Sequence, residues 1–500
     1  MTQIPIANGY YKDYSLTVSS QQCSGWWPVY PDTQAVSAGV LYPSPGIISQ
    51  VNLGATELRR GQIEFDDKLY TVNNQTLYRI DRTLVDGVPV YAETALGKIN
   101  LSTTGLSPVS MAHNPTQLCI VVPGEFIFIF TEEDGIQDVT QIFLDAYDGV
   151  TGLELPNAVV YWDSFFVFTS SRHIFASDSN DGTSYNALSF GTAEMDPDRI
   201  IAPFVYRNQV YIFGSQLTEV YDNNPDFTLP FPLLRNEGYV LDKGLSSQFA
   251  IVESEESFMF VGGSNEEIPG VWRVEQGTPV KISTPAIDLI IENLSLEQLQ
   301  KVNAFAYSLQ GGFFAVFDFG EITLIHDITA SRKSGVHTWH QHGSRENFME
   351  AHWHVGGITK VYGTLITTSD DSGVIGELSM DEFEDEGTTI VRTMSSPTVF
   401  SNGDPIYVDQ IEITIESGTS PLGEDLDLTL STSKDGGKTW GNQRRRKIGT
   451  RGNGRQRLVW RRVGRFNRFF NFRLQFSGNA KMVIIRADVK FAGLDFEVAA

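Results

Sequence analysis

Lys68-Leu69-Tyr70-Thr71-Val72, a polar turn at Asn73-Asn74-Gln75, then Leu77-Tyr78-Arg79-Ile80: this stretch sets the pattern for most of the chain. β-Branched and aromatic residues suit a pleated, half-buried surface, and asparagine accepts the backbone angles of a tight turn, so the stretch reads as a β-hairpin. The same theme returns at Gln117 to Phe130, Ala158 to Ala176, Gln209 to Tyr221, Ser257 to Val274, Ala304 to Asp318 and Lys360 to Ser379. Successive starts fall 40 to 60 residues apart. That is the length of a four-stranded propeller blade, a unit that buries its faces only against its neighbours around an axis. Seven starts predict a β-propeller of six or seven blades over residues 56–395, in an all-β protein.

The flanks differ. Residues 1–55 are rich in Tyr, Trp, Pro, Gly and Ser, with breakers at Trp26-Trp27-Pro28 and Tyr42-Pro43-Ser44-Pro45-Gly46, and read as an N-terminal extended arm folded back on its own domain. Beyond Ser395-Ser396-Pro397 the strands lengthen and alternate strictly, at Ile411, Ile413, Ile415, at Leu426, Leu428, Leu430, and at Phe470, Phe472, Leu474, Phe476. Period two with one polar face predicts a C-terminal antiparallel β-sandwich or barrel-like domain over residues 396–500. One helical interruption is expected, from the apolar run Ala286 to Glu292 and the capping-box pattern Ser295-Leu296-Glu297-Gln298.

Charge is unevenly spread. The chain of 500 residues carries 61 acidic and 37 basic residues, a net charge of −24. Yet residues 441–473 contain 12 basic residues and no acidic one. Without those 12, the balance is 25 against 61, or −36. An acidic body repels nucleic acid, so binding to it is expected only through this segment. Cys23 and Cys119 lie too far apart in sequence for a disulfide framework or a zinc spacing, which fits assembly in a reducing cytoplasm. Residues Met1 to Ser20 lack the charged start and apolar core of a signal peptide, and no apolar run is long enough to span a membrane.

Ser433-Lys434-Asp435-Gly436-Gly437-Lys438-Thr439-Trp440 is an Asp-box, in which Ser433, Asp435, Gly437, Thr439 and Trp440 brace a hairpin. Asp-boxes recur in sialidases and other propellers, so an Asp-box propeller that binds glycans or resembles a sialidase is the competing reading. A sialidase also needs convergent arginines and a Tyr and Glu pair. Arg79, Arg172, Arg199 and Arg235 show no spacing that predicts convergence, and no catalysis and no cofactor are expected. The basic segment supplies contact candidates at Arg444, Arg445, Arg446, Lys447, Arg451, Arg455, Arg457, Arg461, Arg462 and Arg465. They can dock on an acidic protein, including a second copy, grip phosphates beside Trp460, Phe466, Phe469 and Phe470, or form a solvated face. Protein contact ranks first.

Five of the eight histidines cluster at His337, His340, His342, His352 and His354, around Trp339 and Trp353. On strands His340 and His342 share a face, as do His352 and His354, so these four are conceivable metal ligands. No Cys or acidic residue completes a familiar spacing, and two aromatic strands without metal is the preferred reading. Asp178-Ser179-Asn180-Asp181-Gly182 lacks the bidentate Glu of a calcium loop and reads as an Asx-turn.

Several motifs, in their order along the chain, resemble the packaged-DNA stabilisation proteins of short-tailed phages of enteric bacteria, also called tail hub or nozzle proteins. They are Gln22-Cys23-Ser24-Gly25-Trp26-Trp27-Pro28, the hairpin at Leu69 to Ile80, Ser110-Met111-Ala112-His113-Asn114 and Ser177 to Asp181. Leu188 to Glu194 with Pro197-Asp198, Ile212-Phe213-Gly214 with Glu219, and Ile282 to Ile287 follow, then Ser433 to Trp440 and Arg457 to Arg465. The triple Arg444-Arg445-Arg446 and the histidine group are not part of that pattern. The resemblance implies a structural protein of the virion tail, assembled in the host cytoplasm. It implies a homo-hexameric ring below the portal and its adaptor protein, retaining packaged DNA and conducting double-stranded DNA through its lumen at ejection. It also implies contacts with a tail needle and with tailspikes or tail fibres. An acidic lumen would let DNA slide without sticking.

Overall fold

Each hairpin anticipated from the repeat lies in its own antiparallel sheet of a seven-bladed propeller in the computed structural model, which describes residues 1–492 except 101, 103, 104, 194–197, 227, 344, 347, 348, 351, 403 and 425. Glu194 and Pro197 therefore lie outside the described residues, as do residues 493–500. Blades 1 to 6 occupy residues 59–98, 110–138, 158–192, 200–241, 244–281 and 303–342. Within a blade neighbouring strands follow chain order, save that in blade 5 Gly244–Leu245 and Ile251–Ser254 both pair with Ser257–Gly263, and two-residue turns join several of them. Asp86-Gly87, Gln276-Gly277, Gln310-Gly311 and Tyr362-Gly363 all have positive φ at both positions, the backbone twist that matches paired strands. The first strands of successive blades face one another around the axis, and Val355–Val361 of blade 7 meets Arg59–Phe65 of blade 1. Apolar side chains fill the seams. Between blades 1 and 2, for example, Tyr70, Val72 and Leu77 pack with Leu118, Ile120 and Phe128.

Blade 7 has only three strands from its own stretch of chain, within residues 355–379. Its fourth is Gly46–Asn52, paired antiparallel to Val374–Ser379 with Ile47 opposite Leu378. The ring is thus closed by a strand that precedes blade 1 in sequence.

The residues expected as an extended arm are woven through both domains. Thr2–Ile4 pairs with Ile484–Phe491, and Trp26–Val29 with Val40–Pro43 completes the same sandwich sheet. That sheet runs in the order Leu458–Phe466, Ile406–Ile415, Ile484–Phe491, Val40–Pro43, Trp26–Val29. The second sandwich sheet comprises Cys23–Ser24, Val391–Ser395, Phe469–Ser477, Asp427–Ser433 and Arg444–Lys447. A parallel bridge from Gln341 to Ser24 makes it continuous with blade 6. The physical reason the arm is ordered lies in two adjacent tryptophans whose side chains leave the strand on opposite faces. Trp26 enters the sandwich core among residues such as Leu41, Ile411, Trp460 and Phe472, and its Nε1 donates to the Met482 carbonyl at 2.9 Å. Trp27 enters the seam of blades 6 and 7, with its ring 4.9 Å from that of Phe314.

The anticipated interruption is a pair of helices, Pro285–Glu292 and Leu296–Leu299, between blades 5 and 6. The capping box forms: Gln298 N donates to Ser295 Oγ at 3.3 Å and Ser295 N to Gln298 Oε1 at 2.9 Å. Two further helices were not signalled. Thr140–Ala146 buries Phe143 against Phe168 and Phe175 of blade 3, and Ile328–Ser334 is capped by Asp327, which accepts from Ala330 N at 2.7 Å. Both cysteines are free and buried, and burial pushes their thiols far up. Among the described residues no helix is long and apolar enough to cross a membrane.

Candidate functional site

The basic segment supplies the outer edges of both sandwich sheets. Arg444–Lys447 is the last strand of one sheet, Leu458–Phe466 the last of the other, and the two edges lie side by side. An edge strand leaves carbonyls unpaired, and here arginines satisfy them. Arg444 Nη2 donates to the Arg461 carbonyl at 2.7 Å and Arg446 Nε to the Val459 carbonyl at 3.0 Å, while Trp460 Nε1 donates to the Arg444 carbonyl at 2.9 Å. Arg457 makes a bidentate pair with Glu412, at 2.7 and 2.8 Å from Nη2. Arg465 and Arg473 lie over the rings of Tyr407 and Trp440. These arginines hold the edge together.

The remaining cations have no such work. Arg445, Arg451, Arg455, Arg461, Arg462 and Arg468 are exposed, and among the described residues none has a carboxylate within salt-bridge range. Arg462 also has φ of 53°, in the bulge that bends this edge strand, which turns the cationic face outward. Lys447 is exposed and not free of partners. The result is a cationic ledge that the chain itself does not neutralise.

The Asp-box braces the turn between Asp427–Ser433 and Arg444–Lys447. Ser433 Oγ accepts from Gly437 N at 2.8 Å, and Asp435 Oδ1 accepts from Thr439 N at 2.9 Å. Gly436 and Gly437 have φ of 74° and 91°, and a Cβ on Gly436 would stand 2.7 Å from Thr17 Cα. The box is therefore also a seat for the segment around Thr17 to Ser20. Burial alone would raise the Asp435 carboxyl, but hydrogen bonds from Thr439 and Ser433 outweigh it and hold the group below its ordinary value of 3.8. Asp435→Ala should cost about 0.5–1.5 kcal/mol, since it removes the hydrogen bonds that Asp435 accepts from Thr439 at a largely solvated turn. Because the folded-state value is depressed, the contribution is present above 3.8 and fades as pH falls below it; urea titrations of both proteins at pH 7 and pH 3 check this, with the gap between them closing at the lower pH.

The four histidines do not converge on one point. His340 and His342 lie within Thr338–His342, almost fully buried. His340 meets the Phe314 ring edge-on, and burial pushes its imidazole down to about 3. His342 stacks on Trp353 with centroids 4.2 Å apart. His352 and His354 sit instead at the mouth of blade 7, where the sequence showed no acidic partner and the fold brings two. His352 Nε2 lies 3.3 Å from Asp370 Oδ2, and His354 Nδ1 lies 2.7 Å from Asp371 Oδ2. The Asp370 pairing raises His352 to about 9, and the Asp371 pairing raises His354. Asp318 of blade 6 is close by; burial raises its carboxyl to about 6. The signal that was missed is spatial: Asp370-Asp371 ends the strand Thr364–Ser369, and Asp370 N donates to the His354 carbonyl at 3.0 Å.

Other sequence candidates do not assemble. Arg79 of blade 1 is paired with Asp81 and, across the seam, with Glu132 of blade 2, and Arg235 with Glu219 in blade 4. Arg172 and Arg199 share an open hollow with Glu154 and Asp198. Asp181 spends Oδ1 on Thr183 within its turn, as an Asx-turn does.

Comparison with known proteins gives matches over both domains. Residues 2–382 match the model of the bacteriophage P22 Gp10 β-propeller, and residues 392–492 that of the bacteriophage P22 Gp10 β-sandwich. The tail hub protein gp10 of Salmonella phage P22 is 20% identical over 508 residues, covering 98% of each chain. Among solved structures, the WD40 domain of Neurospora crassa Pan2 covers 68% of this chain and 95% of its own, at 8% identity and a TM-score of 0.41. The WD40 propeller domain of Doa1 covers 67% and 97%, at 11% identity and a TM-score of 0.37.

Proposed function

Because this chain belongs to the bacteriophage P22 Gp10 family, we propose that it is one copy of a tail hub ring, a structural part of the virion tail without catalytic work. In this reading six copies sit below the portal and adaptor. They retain packaged DNA, conduct it at ejection, and anchor a needle and tailspikes or fibres after assembly in the host cytoplasm. The observation that supports self-assembly is the unneutralised ledge of Arg445, Arg451, Arg455, Arg461, Arg462 and Arg468 on a chain whose other residues sum to −30. Such a ledge meets its complement on any acidic face of a neighbouring copy, and complementary charge sets both register and encounter rate. Segregating the cations there leaves the rest of the ring acidic, which favours DNA passing without adhesion.

Charge reversal tests this. Arg445→Glu, Arg461→Glu and Arg462→Glu together should reduce incorporation into tails or adaptor-bound rings at least tenfold, read by mass photometry and by counting the protein in particles. The melting temperature should move by no more than a few degrees, because none of the three side chains is buried. Wild-type incorporation by the triple variant would sink the interface reading. Salt-sensitive DNA binding that the same variant abolishes would move the ledge to a nucleic-acid role.

A further inference from the structure

We propose that His352, His354 and Asp370 form a site for a divalent transition-metal ion, with zinc as the fitting cation, at the seam of blades 6 and 7. One ligand atom from each of the three residues lies within 4.8 Å of the other two. Two ligands about 2.0–2.1 Å from a tetrahedral ion stand about 3.3–3.4 Å apart. His352 Nε2 and Asp370 Oδ2 are already 3.3 Å apart. The imidazole rings of His352 and His354 are neighbours set edge to face, at 62° with centroids 5.0 Å apart.

The surroundings also match what a metal needs. His354 Nδ1 faces Asp371 Oδ2 at 2.7 Å, a carboxylate–imidazole pairing of the kind that orients a ligating histidine. Asp370 Oδ1 is buried, and among the described residues it has no hydrogen-bond partner, so this carboxylate holds bonding capacity in reserve. The backbone is fixed by the bond from Asp370 N to the His354 carbonyl, which holds the two ligand-bearing segments in register. An entry path exists: Asp370 and Asp318 line the central cavity of about 620 Å³, and His354 and Asp371 line a second hollow of about 240 Å³ on the other side. Two histidines and one carboxylate select zinc and its neighbours over calcium or magnesium. The fourth position is open to water.

The test uses the full-length chain, dialysed against EDTA and then titrated with ZnCl₂ in a calorimeter. One zinc per chain at a Kd in the micromolar range or tighter is expected, with a rise of several degrees in melting temperature. Asp370→Asn and His352→Gln should each weaken binding at least 100-fold, and Asp371→Asn by about 10- to 100-fold, acting through His354. His113→Gln, in blade 2, should bind as the wild type does. Because a variant can misfold, the wild type loaded with Co²⁺ supplies an independent reading, the intense visible absorption of a four-coordinate nitrogen and oxygen site. Zinc binding below one-half equivalent, binding unchanged in Asp370→Asn, or only the faint spectrum of hydrated Co²⁺ would each overturn the proposal.

Discussion

Trp26→Ala should destabilise the protein by about 4–7 kcal/mol, although the residue lies in a stretch that reads as an extended arm folded back on its domain. Deleting a fully buried tryptophan costs about 3–5 kcal/mol through lost burial and the cavity left behind. The variant also strands the Met482 carbonyl, which the indole nitrogen satisfies, adding about 1–2 kcal/mol. A domain holds only about 5–15 kcal/mol in reserve, so the sandwich should become sensitive to protease at temperatures where the wild type resists. Urea unfolding and limited proteolysis measure it. A loss under about 1 kcal/mol would show that the N-terminal strands are accessory to the sandwich core.

Ile47→Asp attacks the other domain at its closure. Ile47 is buried among Trp27, Trp353, Leu365 and Leu378, and its carbonyl accepts from Glu386 N at 3.0 Å. A carboxylate there has no donor, and it would face the buried carboxyl of Asp385, the residue paired with Ile47 across the sheet. Burying it costs several kcal/mol, against about 0.5–1.5 for Ile47→Val. Hydrogen exchange should report the difference. Amides of Thr364–Ser369 and Val374–Ser379 should exchange at least 100-fold faster in Ile47→Asp and nearly as wild type in Ile47→Val. Protection retained in the aspartate variant would mean that blade 7 stands without its fourth strand.

These two positions also mark where reading the chain by local pattern stops. Blade hairpins are legible because a strand, a two-residue turn and its partner lie within one short stretch, as at Lys68–Asn73 and Thr76–Val85. The closing strand Gly46–Asn52 is not, since its partner Val374–Ser379 is encoded more than three hundred residues later, and Tyr42 to Gly46 look like a run of breakers. The cationic segment was visible as charge. Its division of labour was not, because only the fold shows that Arg444 and Arg446 serve edge carbonyls while Arg445 points to solvent. The histidines were visible too, but their carboxylate partners follow the second strand of the hairpin that the histidines precede, and His340 and His342 were drawn into aromatic packing. Helices Thr140–Ala146 and Ile328–Ser334 were hidden by their length, too short for a periodic apolar pattern to register.

The pairing of Thr2 with Val489 and of Ile47 with Leu378 has a consequence for biosynthesis. On the ribosome, blades 1 to 6 can emerge and pack in order, but the first sandwich strands and the ring-closing strand must wait, unpaired, for partners made near the end of translation. Such late, long-range closure is slow and leaves apolar edges such as Trp26-Trp27 exposed to neighbouring nascent chains. Yield in the host should therefore depend on chaperone supply and rise at low expression temperature, while the finished fold, stitched at both ends, cannot be separated into two independently expressed halves.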